Sequence, residues 1–382
     1  MTFGGRVGFS PNSYIEQQLG VPMPSGLDNP QLLARIDAGD MLGAIYRFAD
    51  PFLGPERFQA SEVQKVEAAN GLVFVGMGGS ASAGDVLLDW LRDEFKTYAL
   101  VSREPRIPKF VDEKTLVVCF SYSGETWETL QAFEEASRRG CRLAAVGSGG
   151  RLGKACEARG VPFFQVDSGQ APRAALGQMI VAGSRALQRM GAVGGVRQRL
   201  LKTGKELAGL RENLKPNVSS SDNKAKEFAF LLKGKMPAIY AFQRMSSVAR
   251  RFKNQLAENS KVVAKYELLP EAAHNEVESW RSPDQSYLPL FIRDSQETAE
   301  EEMLARAFKL TIAGAGKTRP LEVRLRAETE LGRLLAPILF LDYVSCYLAL
   351  LRKVDPSPTL RIREYKRRYK QSTPRTRPGQ GH

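Results

Sequence analysis

Residues 120–129 run Phe-Ser-Tyr-Ser-Gly-Glu-Thr-Trp-Glu-Thr. An apolar segment, Thr115 to Phe120, leads into them, and Leu130, Phe133 and Ala136 follow at three-residue steps. Such a run followed by such spacing reads as a strand, a turn and a helix N-terminus. Four hydroxyls (Ser121, Ser123, Thr126, Thr129) surround one glycine, Gly124, which lets the backbone turn tightly. Unpaired N–H groups at a helix start carry partial positive charge, so this turn suits a phosphate or a carboxylate. It equally suits an ordinary helix cap, for which one serine would be enough.

The pattern repeats outward. Spacing predicts strands over 72–75, 97–101, 116–120, 143–146 and 162–166, with helices over 81–91, 126–139 and 152–157. Helices follow over 174–190 and 196–214, and the polar stretch 216–223 reads as a seam. The alternation then resumes, with strands over 238–242, 262–268, 287–292 and 321–325 and helices over 245–260, 299–312 and 328–351. A last helix is predicted over 359–369. Alternation of this kind means parallel sheets covered on both faces. The expected fold is therefore α/β, two tandem units, each a parallel β-sheet flanked by helices. Residues 1–50 read as an N-terminal helical extension, 51–215 as the first unit, 216–358 as the second, and 359–382 as a helix with a basic tail, disordered beyond about residue 371.

The chain has 382 residues, 43% hydrophobic and 25% charged, which fits a soluble globular protein with room for two domains. Its formal charge of +13 raises the question of nucleic acid. Residues 361–382 hold eight Lys or Arg against one Glu, so +7 of the +13 sits in the C-terminal segment. A solvated tail is the expected reading, and no nucleic-acid partner is expected. The four cysteines (Cys119, Cys141, Cys156, Cys346) lack paired spacing, as buried thiols in a reducing compartment do. No cofactor or metal site is expected, since no Cys/His cluster is present. The N-terminus lacks a signal pattern, so the cytoplasm is the expected location. Residues 334–351 are apolar, yet Pro337 and Asp342 interrupt them and favour a buried helix over a membrane span.

A second loop follows the first predicted strand: Gly76-Met-Gly-Gly-Ser80-Ala-Ser82-Ala-Gly84. It half-matches a dinucleotide fingerprint, but the residues after the second strand, Ser102-Arg103-Glu104, are an ambiguous place for the ribose-binding acid. In an open parallel sheet, ligands sit outside the carboxyl ends of the strands. Two glycine-containing, hydroxyl-rich loops at neighbouring strand ends are better explained by one phosphate.

These two loops resemble the phosphosugar-binding signature of the sugar isomerase (SIS) domain, and both α/β units read as such domains, flavodoxin-like αβα sandwiches. Within that group the chain resembles the bifunctional phosphoglucose/phosphomannose isomerase family. The stretches that carry the likeness are Ser-Tyr-Ser-Gly-Glu-Thr at 121–126, Ala-Pro-Arg-Ala-Ala-Leu at 171–176 and Ala-Glu-Asn-Ser-Lys at 257–261. His-Asn-Glu at 274–276 with Trp280, and Val-Asp-Pro at 354–356 running into Tyr-Lys-Arg-Arg at 365–368, complete it.

The resemblance implies roles. Gly78, Gly79, Ser80, Ser121, Ser123 and Thr126 would hold the phosphate. Glu258 would be the proton-transferring base and Arg173 the cation beside an enediolate, also contacting substrate. His274 and Lys366 would open the sugar ring, and Thr359 would permit rotation about C2–C3 and hence use of mannose 6-phosphate. His274 would serve the partner's active site in a homodimer. The expected activity is metal-independent interconversion of glucose 6-phosphate, and of mannose 6-phosphate, with fructose 6-phosphate. The alternative is a noncatalytic phosphosugar-binding regulator, which has no need of Glu258, His274 and Arg173 together.

Overall fold

The computed structural model describes residues 25–54, 69–281, 286–314 and 319–372. Residues 1–24 of the expected N-terminal extension, and the tail beyond residue 372, lie outside the described residues.

Among the described residues, nine strands form two parallel sheets. The first holds β1 (Gly71–Gly76), β2 (Tyr98–Ser102), β3 (Thr115–Phe120), β4 (Arg142–Gly147) and β5 (Phe163–Gln165), in the order β2-β1-β3-β4-β5. That order is the flavodoxin-like one, whose ligand crevice opens between β1 and β3. The second sheet holds β6 (Met236–Phe242), β7 (Lys265–Leu269), β8 (Tyr287–Arg293) and β9 (Leu321–Arg324), in the order β7-β6-β8-β9. The expected α/β architecture, parallel sheets flanked by helices, is the observed one.

Helices α1 (Pro30–Ile36), α2 (Met41–Tyr46) and α3 (Asp50–Leu53) precede the first sheet, and α4 (Gly78–Leu91), α5 (Trp127–Arg138), α6 (Gly150–Arg159), α7 (Leu176–Arg189) and α8 (Val196–Glu212) lie between or after its strands. The rest are α9 (Lys224–Leu231), α10 (Ser246–Gln255), α11 (Ala299–Gly314), α12 (Glu330–Leu351) and α13 (Leu360–Ser372).

Period-two alternation along each strand sorts side chains onto two faces. Val73, Val75, Val117 and Cys119 meet Phe133 of α5 and Leu152 and Cys156 of α6. The other face, with Phe74, Val118 and Phe120, joins one core with α4, α7, α12 and Ile239, Leu290 and Ile292 of the second sheet. The far face of that sheet, Tyr240 and Phe291, is covered by Phe308 and Ile312 of α11. Each such fully buried side chain contributes about 1.5–3 kcal/mol. The two sheets therefore share a continuous core, and their strand-end loops stay in fixed relation.

The apolar stretch at the C-terminal end of the second unit is α12. It is long and apolar enough to cross a membrane, but 94% of its apolar window is buried inside the protein. All four cysteines are buried and unpaired.

Two elements differ from expectation. Helix α9 follows the polar seam directly, capped by Asn223, whose side chain accepts from the N–H groups of Ala225 and Lys226. Its buried face carries Lys226, fully enclosed and bonded to Asp28 and the carbonyls of Pro216 and Val218, so no apolar stripe announces it. The helix predicted over 245–260 is α-helical only to Gln255. It widens into a π-helical turn over Leu256–Ser260, and Glu258 sits on that turn.

Candidate active site

Register pairing puts Gly76 beside Phe120, so the loops after β1 and β3 leave adjacent strands. A side chain stitches them: Ser80 Oγ accepts from the N–H of Tyr122 at 3.1 Å. Accepting leaves the Ser80 proton free to be donated. Gly78 is exposed with φ of +53°, a conformation that costs glycine nothing. Neither Met77 before α4 nor Thr126 before α5 caps its helix with its side chain. Thr126 Oγ1 accepts instead from the buried Ser121 hydroxyl at 3.1 Å. Thr126 therefore does not act as an ordinary side-chain cap of α5. Ser123 is exposed, its Oγ accepting from the N–H of Glu125.

Arg173 lies in the turn before α7 and is only 4% exposed. A methyl group on Gly79 would stand 3.1 Å from Arg173 Cα and from the Pro172 carbonyl oxygen, so the first loop and this turn are in close contact. The guanidinium is held on three sides. Nε donates to Asn259 Oδ1 at 2.7 Å, and Nη2 donates to the carbonyls of Pro356 (2.7 Å) and Ser357 (2.9 Å). Nη1 faces Glu258 Oε2 at 3.7 Å. Burial holds the Arg173 pKa below that of a free arginine, while Glu258 opposes the shift.

Glu258 is half-buried, its side chain 24% exposed, so the carboxylate is open on one side. Asn259 and Ser260 behind it are fully buried. Asn259 Nδ2 donates to Ser345 Oγ at 2.9 Å, and the Ser260 hydroxyl donates to the Ser345 carbonyl at 2.6 Å, both on α12. Lys261, at positive φ, donates to the carbonyls of Glu258 and, at 2.9 Å, Pro358. Burial, then the nearby Arg173 charge, lowers its pKa. Beneath this layer lies the buried pair Arg251–Asp342, and Arg251 Nη2 also donates to the Arg173 carbonyl at 3.0 Å.

The fold thus brings Gly79, Arg173, Glu258 and the 356–359 segment together. Thr359 is half-buried on that segment, next to the Lys261 anchor. Lys366 is exposed on α13, whose Tyr369 ring lies 6.0 Å from that of Trp127, the residue after Thr126. His274 stands elsewhere. It is exposed on a 3₁₀ turn after the edge strand β7. Its following residues belong to a separate network, in which Trp280 Nε1 donates to Tyr240 OH (2.7 Å), and that hydroxyl donates to Glu276 (2.8 Å).

Sequence reasoning assigned no role to Asn259, Lys261 or the Pro356 and Ser357 carbonyls. The signal was present, since Asn259 and Lys261 fall within 257–261 and Pro356 within 354–356. Among the described residues, no three His, Cys, Asp or Glu side chains cluster as they would around a metal ion.

The family described as bacterial phospho-glucose isomerase C-terminal SIS domain matches residues 221–369. A bifunctional phosphoglucose/phosphomannose isomerase of Caldicellulosiruptor bescii is 34% identical over 303 residues, covering 78% of this chain and 89% of that protein. One of Aquifex aeolicus is 32% identical over 330 residues, covering 85% of this chain and 98% of its own. Among solved structures, a glucose-6-phosphate isomerase like protein of Thermus thermophilus superposes with a TM-score of 0.58 at 17% identity, covering 87% of this chain and 98% of that one. That last likeness speaks to the fold alone.

Proposed function

The chain belongs to the bifunctional phosphoglucose/phosphomannose isomerase family and is an isomerase, and from that premise we propose that it interconverts glucose 6-phosphate, and also mannose 6-phosphate, with fructose 6-phosphate. The observation that carries this reading is the Arg173–Glu258 pair, set against the Gly79 loop.

Moving a carbonyl between C1 and C2 requires a phosphate anchor, a base at carbon and a cation beside the oxygen that gains charge. Gly78, Gly79, Ser80, Ser121, Ser123 and Thr126 supply the anchor through hydroxyls and open amides. The Glu258 carboxylate takes the proton from C2 of the open-chain aldose and returns it to C1. The electrons pass through a cis-enediolate, and Arg173 stabilises its oxygens. Lys366, with His274 from a second subunit, handles the ring oxygen proton during opening, and Thr359 leaves room for rotation about C2–C3. No metal enters this scheme. The enzyme works as a cytoplasmic homodimer.

A coupled assay offering fructose 6-phosphate, with and without EDTA, beside Glu258→Gln, tests the reading. Turnover that survives chelation and collapses in the glutamine variant is expected. No wild-type turnover of fructose 6-phosphate removes the assignment.

A further inference from the structure

Left free, an arginine and a carboxylate close into a paired fork with N···O distances of about 2.7–2.9 Å. Arg173 and Glu258 do not, and stop at 3.7 Å. The reason lies in what holds the guanidinium. Nε is taken by Asn259 Oδ1, and Nη2 by the two carbonyls of the 356–357 segment, so only Nη1 can turn toward Glu258. Asn259 is itself fully buried and fixed through Nδ2 to Ser345 on α12. Its carboxamide therefore reads the position of the guanidinium with one end and the long core helix with the other.

We propose that Asn259 is a positioning residue, whose carboxamide holds the Arg173 guanidinium where it can neutralise a developing enediolate without closing onto Glu258. A fork would occupy the carboxylate oxygens that must reach a carbon-bound proton, and it would direct the cation's donors away from substrate. Holding the pair apart keeps both groups available. The proposal rests on the roles given above to Glu258 and Arg173, and it adds the restraint that makes those roles compatible.

The test is steady-state kinetics on fructose 6-phosphate with Asn259→Ala, Arg173→Lys and the double variant. Asn259→Ala lowers kcat by about 10- to 100-fold while KM stays within about threefold, since the phosphate loops are untouched. Lysine has no Nε for Asn259 to hold, so in the Arg173→Lys background the alanine costs less than about twofold further. A generally structural asparagine costs the same in both backgrounds, and that outcome overturns the proposal, as does Asn259→Ala turnover within about twofold of wild type. Ser345→Ala, a mild change on α12 that frees the other end of the carboxamide, repeats the cycle should Asn259→Ala fail to fold. Its expected loss is about 3- to 10-fold, again absent with Lys at position 173, and an equal loss in both backgrounds overturns the proposal. Wild-type turnover in Arg173→Lys or Glu258→Gln would instead strike the base-and-cation reading itself, and is separable from a failure of Asn259 alone.

Discussion

Arg173 Nη1 stands 3.7 Å from Glu258 Oε2, although one residue precedes a helix of the first sheet's unit and the other follows a helix of the second's. The cation is buried and held by three neighbours, and the carboxylate is open on one side. A shared core fixes the two units, so this geometry is a property of the fold.

Replacing the base isolates the chemical step. Glu258→Gln keeps size and hydrogen bonding but cannot accept a carbon-bound proton. Its kcat falls by about 10²- to 10⁴-fold with KM little changed, read in the coupled assay.

The phosphate end answers differently. Ser80→Ala and Thr126→Val each remove a hydroxyl from the crevice, and a hydrogen bond to a charged group is worth about 1.5–3 kcal/mol. KM for fructose 6-phosphate rises about tenfold or more, with a smaller change in kcat. Unchanged KM in both variants would move the phosphate elsewhere.

His274 is exposed and lies outside the Arg173–Glu258 cluster of its own chain. Mixing inactive His274→Ala with inactive Glu258→Gln, under conditions that let subunits exchange, leaves one intact site in each mixed dimer. About a quarter of wild-type turnover returns, since half the dimers are mixed and half their sites are whole. No recovery, with exchange shown by mass spectrometry of the mixed dimer, would place His274 within its own chain's site or outside catalysis.

Asp89 on α4 joins the two units by accepting from Ser246 Oγ and, at 2.8 Å, from the N–H of Ser247 at the start of α10. Burial pushes its carboxyl from 3.8 up to about 6, against those hydrogen bonds. The folded state then binds the proton more firmly than the unfolded chain, so this contribution to stability is full below the ordinary carboxylate pKa and is lost as pH rises through about 6. Asp89→Asn does not titrate. Its unfolding free energy, minus that of wild type, rises between about pH 4 and pH 7 by about 1–3 kcal/mol and then levels. A flat difference in chemical denaturation would contradict the shift.

Much of this was legible in the sequence. The strands of both units follow from short apolar runs, and the hydroxyl turn at 121–126 was visible as an anion site or a cap. The Ser121–Thr126 and Ser80–Tyr122 bonds were not legible, because they join residues by side-chain direction and by strand order. Helix α9 was missed because a buried lysine interrupts its inner face. Asn259 was passed over because its two partners lie far along the chain, at 173 and 345. Glu258 gained its role from the resemblance alone, and the π-helical turn on which it sits leaves no periodic mark in the sequence.

The central claim is proton transfer at carbon by Glu258, and deuterium incorporation tests it most directly. Glucose 6-phosphate is incubated with the purified protein and EDTA in D2O, and the sugar phosphates are followed by NMR. The account predicts conversion to fructose 6-phosphate with solvent deuterium appearing at C1, and neither event with Glu258→Gln. Conversion at the wild-type rate, or deuterium uptake, that persists in the glutamine variant would contradict it.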